Sequence, residues 1–198
     1  MIKKFLLISF IALSISSCGR YGDPQPPEYF APQGVKDLSA NANISGVEIK
    51  WVAPDTDRSG DQLKSMEGYF IERRIITKPS DILDPDVEDV LIATIPDTHL
   101  KILKELRKKA IEEGKISRKV SVEHELKEFK YFDEDVTPGT TYIYSIVPFN
   151  QGETRGLVPL QVKVLFRGDA SVVTIIETED TENIKLKKNI NRKKTGIF

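Results

Sequence analysis

Phe129–Gly152, FKYFDEDVTPGTTYIYSIVPFNQG, decides the fold of this chain. Thr141–Phe149 is a strongly apolar, aromatic stretch, and Thr137, Pro138 and Gly139 precede it. Proline presets φ for a turn and glycine tolerates φ > 0, so Pro138 and Gly139 reverse the chain just before the strand. Tyr142, at the strand's start, is placed for its hydroxyl to bond back to backbone near that turn, a corner found in β-sandwiches. Asn150-Gln151-Gly152 closes the strand.

The flanking segments repeat the strand pattern. In Gly46–Val52, Val47, Ile49 and Trp51 alternate with Glu48 and Lys50, the period of a half-buried strand. Pro54 stops pairing after it. Gly68–Ile76 is the next strand, after a polar loop over 55–67. Val35–Ala40 and Val90–Ile95 add two more, and Leu157–Phe166 supplies a final framework strand. Val172–Ile176 is a candidate extra edge strand within 168–180. Arg167-Gly168-Asp169 is expected to be a turn, not an adhesion site. Val120–Leu126 alternates weakly and fits either strand or helix.

One segment departs from the β pattern. Asp97 or Thr98 opens a helix as N-cap. Leu100, Leu103, Leu106, Ala110 and Ile111 then recur at helical spacing, with Lys101, Lys104, Arg107 and Lys108 on the wet side. Gly114 ends it. The helical insertion therefore spans about 97–114, inside a domain of 34–167.

The 198 residues carry a net charge of −1, so no global field argues for nucleic acid or acidic substrates. The chain ends differ from the middle. In Met1–Ser17, Lys3 and Lys4 precede the apolar run 5–15, which is shorter than the about 20 residues that span a bilayer. Ile15-Ser16-Ser17-Cys18 resembles the lipobox of bacterial lipoproteins. That resemblance implies removal of 1–17 as a signal peptide and acylation of Cys18. Two or three acyl chains, at about 0.8 kcal/mol per buried CH₂, hold a protein stably on a membrane. Gly19 lacks the aspartate associated with inner-membrane retention, so the resemblance implies the outer membrane. Residues 18–33, with Pro24, Pro26, Pro27 and Pro32, read as a Pro-rich tether. At the other end, 181–198 reads as a disordered basic tail, with Lys185, Lys187, Lys188, Arg192, Lys193 and Lys194.

VEIKW at Val47–Trp51, GYFIERR at Gly68–Arg74 and FDEDVTPGTTYIYSIVPFNQGE at Phe132–Glu153 together resemble a fibronectin type III domain. Trp51, Tyr69, Pro138, Gly139 and Tyr142 carry the signature. The resemblance implies an all-β, immunoglobulin-like Greek-key sandwich of seven strands, here with the helical insertion between the fourth and fifth. It implies binding or spacing work, but no particular ligand.

Strand periodicity adds an expectation of its own. Tyr142, Tyr144, Ile146, Tyr69 and Ile71 face the core, leaving Phe70, Ile143, Val147 and Phe149 as an apolar patch on the outer sheet face, a candidate docking face. The helix is expected to fold over it through Leu103, Leu106 and Ala110. Covering about 300 Å² at ~25 cal/mol per Å² contributes about 7 kcal/mol before entropy. The competing expectation is an open protein-docking surface.

Catalytic patterns are sparse. His99 and His124 lack the spacing of a zinc site and are read as surface or core-edge residues. Asp133-Glu134-Asp135 lacks the alternating ligand loop of a calcium site and is read as solvated acids. No phosphate-cradling glycine loop or serine elbow occurs. The sequence thus points to a non-enzymatic, lipid-anchored envelope module without cofactors or metal. Its expected partners are the membrane, through Cys18, and a protein or envelope polymer, but no nucleic acid. The alternative is an accessory subunit of an envelope enzyme or transport complex, docking through the outer sheet face.

Overall fold

The computed structural model describes residues 24–82 and 87–178. The expected signal peptide, Cys18 and the expected basic tail lie outside the described residues.

Among the described residues eight strands and one α-helix follow in order: β1 (Lys36–Asn43), β2 (Gly46–Val52), β3 (Gly68–Ile76), β4 (Val90–Pro96), α1 (His99–Glu112), β5 (Glu128–Asp133), β6 (Thr141–Phe149), β7 (Leu160–Leu165) and β8 (Val172–Glu177). They form two antiparallel sheets, ordered β1-β2-β5 and β4-β3-β6-β7-β8. β2 and β5 are neighbours although β3 and β4 lie between them in sequence and in the other sheet, which is the Greek-key crossing. The fold is therefore an all-β, immunoglobulin-like sandwich of the fibronectin type III kind, with a helical insertion between the fourth and fifth strands. β8 extends the plan by an eighth strand at the sheet edge.

Period-two alternation builds the core. Val47, Ile49 and Trp51 from one sheet meet Tyr69, Ile71, Tyr142, Tyr144, Ile146, Val162 and Val164 from the other, all buried. Trp51 sits edge-on to Tyr69 at 5.3 Å between ring centroids, and Phe129 packs 4.8 Å from Tyr69. Such pairs add about 0.5–1.5 kcal/mol beyond area burial. At the Pro138-Gly139 turn, Gly139 has φ +86° and Thr140 N–H donates to Thr137 C=O at 3.2 Å. Thr137 N–H donates to Tyr142 Oη at 2.8 Å, so the phenol ties the turn to the strand.

Several expectations need correction. In the stretch Val120–Leu126, residues 120–123 form neither strand nor helix. The end of the stretch belongs to a 3-10 turn, His124–Lys127, with another 3-10 turn before it at Ser117–Lys119. β7 starts at Leu160, three residues later than expected, because Pro159 cannot pair as a donor. The end of the expected tether belongs to the domain: Ala31 and Pro32 are buried, and Gln33 N–H donates to Thr56 C=O at 3.0 Å. Asn150 Nδ2 donates to Phe30 C=O and Leu157 N–H to Pro32 C=O, so these hydrogen bonds extend the folded unit back to Phe30.

The outer sheet face is neither covered by the helix, as expected, nor left as the open patch of the competing expectation. Ile143, Val147 and Phe149 are 2%, 3% and 7% exposed. Ile143 lies between Arg74 and Lys163, and Phe70 stacks on Phe149 at 4.0 Å. The Arg155 guanidinium sits 5.3 Å over the Phe70 ring and pairs with Glu72. Long polar side chains thus close this face with their stems. The helix is elsewhere. α1 packs on the 3-10 turn Ser117–Lys119 and faces the Asp55–Leu63 loop.

Candidate ligand-binding cleft

The placement of α1 starts from one carboxylate. Pro96 ends β4 beside Gly68, the first residue of β3, at one pole of the sandwich. Asp97 N–H then donates to Glu67 C=O at 2.8 Å. The Asp97 side chain, fully buried, accepts three hydrogen bonds. Its Oδ2 takes the Tyr69 hydroxyl at 2.6 Å, and its Oδ1 takes the His99 N–H at 3.0 Å and pairs with His99 Nδ1 at 2.7 Å. Tyr69 faces the core, so Asp97 is pinned at core level, and the helix leaves across the pole instead of over the outer face. Burial first, then the neighbouring Asp97 charge, raises the Tyr69 phenol far above its ordinary range. It stays a donor. His99 is a buried core-edge residue with one carboxylate partner, a structural post at the helix root.

The inward stripe of α1 also differs from expectation. Leu106 and Ile111 are 38% and 64% exposed. The residues turned inward are His99 and Leu100 at the helix root, then Leu103, Arg107 and Ala110, which follow Leu100 at spacings of three and four. Leu100 reaches the sandwich core. Arg107, assigned by sequence to the wet side, instead occupies a position on this stripe that a leucine would normally fill. Its Nε is buried without a hydrogen-bond partner among the described residues. A buried donor left unsatisfied costs about 1–3 kcal/mol.

Between this stripe, the Asp55–Leu63 loop and Arg118–Val122 lies a cleft of about 470 Å³. Its floor is apolar, with Leu63, Leu100 and Leu103. Its walls carry Arg107, Arg118, Lys119 and Lys127, with Thr56, Gln62 and Ser121 as neutral polar groups. The one acid lining it, Asp55, is already shared by Lys127 and Lys36, each at 2.8 Å. Burial pushes the Asp55 carboxyl up, but these two lysines outweigh it and hold the carboxyl below its ordinary value. Among the described residues Arg107, Arg118 and Lys119 have no ion-pair partner. A second hollow of about 540 Å³ lies along the three-stranded sheet. There the acids outnumber the lysines: Asp37, Glu125 and Glu128 face Lys50 and Lys130, and His124 Nδ1 contacts Glu128 at 2.9 Å.

The opposite pole carries a spent arginine. Arg73 Nη1 donates to Asp133 Oδ2 at 2.8 Å and to Asp135 C=O, and Nη2 donates to Asp135 Oδ2 at 3.1 Å. Tyr144 Oη donates to the same Asp133 oxygen at 2.8 Å. Burial works to lower the Arg73 pKa, but its bonds to Asp133 and Asp135 outweigh that and raise it. Asp133 is 3% exposed, so the acidic triplet is not three solvated acids: its first member is an internal strut. Asp169, in the Arg167-Gly168-Asp169 turn, accepts the Ile44 N–H at 3.2 Å and joins that turn to the β1–β2 hairpin.

The predicted signature residues thus converge in the core and at the turn. The four outer-face residues converge too, but beneath their own neighbours' side chains. Sequence reasoning missed the cleft. The signal was present in Arg107, which falls four residues after Leu103 and three before Ala110.

No family model matches the sequence, and no curated protein matches it. Among solved structures, the twitchin kinase region from C. elegans is similar at 15% identity over 70% of this chain, with a TM-score of 0.41. This chain spans only 17% of that one. The third fibronectin III domain of the human KIAA0343 protein is similar at 13% identity over 76% of this chain and 93% of its own length, with a TM-score of 0.40.

Proposed function

We propose that this chain is a non-catalytic binding module of the bacterial cell envelope, held to the outer membrane by acyl chains on Cys18. The lipobox-like Ile15–Cys18 supports the anchor, and the short Pro-rich run before the domain supports a tether of residues 18–29. The observation that carries the binding role is the cleft under α1, where a cation is turned inward on a helix stripe and left without a partner. Its occupant is a protein or an envelope polymer. The second reading is an accessory subunit of an envelope complex. The closed outer face moves its docking surface to the α1 pole.

Fractionation and capture test both halves. Cys18→Ser is expected to move the chain from the membrane to the soluble fraction. Capture from solubilised membranes by the wild-type chain is expected to recover a protein or polymer that Arg107→Gln fails to recover. A Cys18→Ser chain still in the membrane fraction contradicts the anchor. Identical capture by both chains contradicts the cleft as the binding surface.

A further inference from the structure

We propose that the cleft takes a phosphate group, with Arg107 and Arg118 as its principal donors. This rests on the binding-module reading and names the chemistry of its ligand. Three features point to phosphate. Arg107 offers a buried Nε with no acceptor, in the middle of the inward stripe of α1. Arg118 and Lys119 bring two more cations from the facing turn, with no acidic partner among the described residues. Asp55, the acid in the cleft, is already balanced by Lys36 and Lys127.

A carboxylate brings one negative charge to this excess of cations. A phosphoryl group brings about 1.5 to 2 charges at neutral pH and three acceptor oxygens. Guanidinium forks match those oxygens in pairs, and Lys119 adds a point charge. Gln62 and Ser121 supply neutral donors beside them, while Leu63 and Leu103 give the ligand's carbon portion an apolar floor.

The phosphate comes either from a soluble molecule or from a lipid headgroup. Calorimetry on the purified chain in an uncharged detergent separates the two. One arm titrates inorganic phosphate and pyrophosphate, and the other mixes phosphatidate into the micelles. At low ionic strength, Arg107→Gln and the more exposed Arg118→Gln are each expected to weaken binding about tenfold or more. Lys130→Gln, in the second hollow where acids outnumber lysines, is expected to leave it unchanged. Response in the first arm assigns a soluble source, and response confined to the second assigns a headgroup. Both results support the site, provided both arginine variants weaken it. No binding in either arm overturns the proposal, as does binding that neither variant weakens. Neither arm depends on where the chain resides, so failure here is distinct from failure of the envelope anchor.

Discussion

Arg73 and Arg107 sit at opposite poles of one sandwich, and their surroundings differ in kind. The Arg73 guanidinium meets two aspartates, and the buried Asp133 oxygen it grips is held from the other side by Tyr144. Arg107 projects from a short helix toward a cleft, with its Nε buried and unpaired. A buried cation with matched acceptors is part of the framework. A half-buried one with an unpaired Nε costs stability, and the gap between the two separates the pole that holds the fold from the pole that is free to bind.

The largest effect is expected at the framework pole. Asp133→Ala leaves Arg73 and the Tyr144 hydroxyl facing each other with no buried acceptor between them. Loss of one partner of a buried pair costs about 3–5 kcal/mol. Urea unfolding at neutral pH should show a lower midpoint with little change in slope.

Tyr142→Phe probes the same pole more gently. It removes the acceptor of the Thr137 N–H, and because Thr137 is exposed water can take that donor, so the loss is about 0.5–1.5 kcal/mol. A midpoint equal to wild type would show that the turn does not need the phenol.

At the other pole the sign should reverse. Arg107→Leu puts a leucine on the inward stripe beside Leu103 and Ala110 and removes the unpaired Nε. Stability is expected to rise by about 1 kcal/mol, the size of gain common when a functional residue is traded for packing. Thermal unfolding of the variant beside wild type checks it, and a loss of stability there would erase the contrast between the two arginines.

The smallest effect concerns Asp55. Its carboxyl is held below the ordinary value of 3.8, so the stability it contributes is present above that pH and is lost as pH falls through the lower folded value. Half of its side chain is exposed, so the contribution is under about 1 kcal/mol. Asp55→Asn should therefore be slightly less stable than wild type at pH 7. The difference should vanish in acid, below the folded pKa. A difference that persists in acid would mean the lysine pairs are not its source.

Much of the framework was legible in the sequence for a local reason. β2, β3 and β6 alternate with period two, and Pro138-Gly139 leaves the chain one way to turn, so Trp51, Tyr69 and Tyr142 announce their places. β8 was legible as an edge strand but not its pairing along the whole of β7. What failed depended on distant partners. The outer-face residues Ile143 and Val147 read as exposed because sequence does not show that Arg74, Lys163 and Arg155 would lie across or beside them. The course of α1 was illegible because the Tyr69–Asp97 bond that sets it joins residues 28 apart in sequence. Arg107 was misplaced for a related reason. A charge on a helix is ordinarily assigned to water, and only the position of the loop at Gln62 and Leu63 shows that this one is turned inward.

Backbone amide shifts recorded while inorganic phosphate is added test the division between the two poles most directly. The account predicts movements gathered at Gln62, Leu103–Ala110 and Ser117–Val122, saturating with phosphate and absent in Arg107→Gln. Movements centred on Arg73, Asp133 and Tyr144, or spread evenly over the domain, would contradict it.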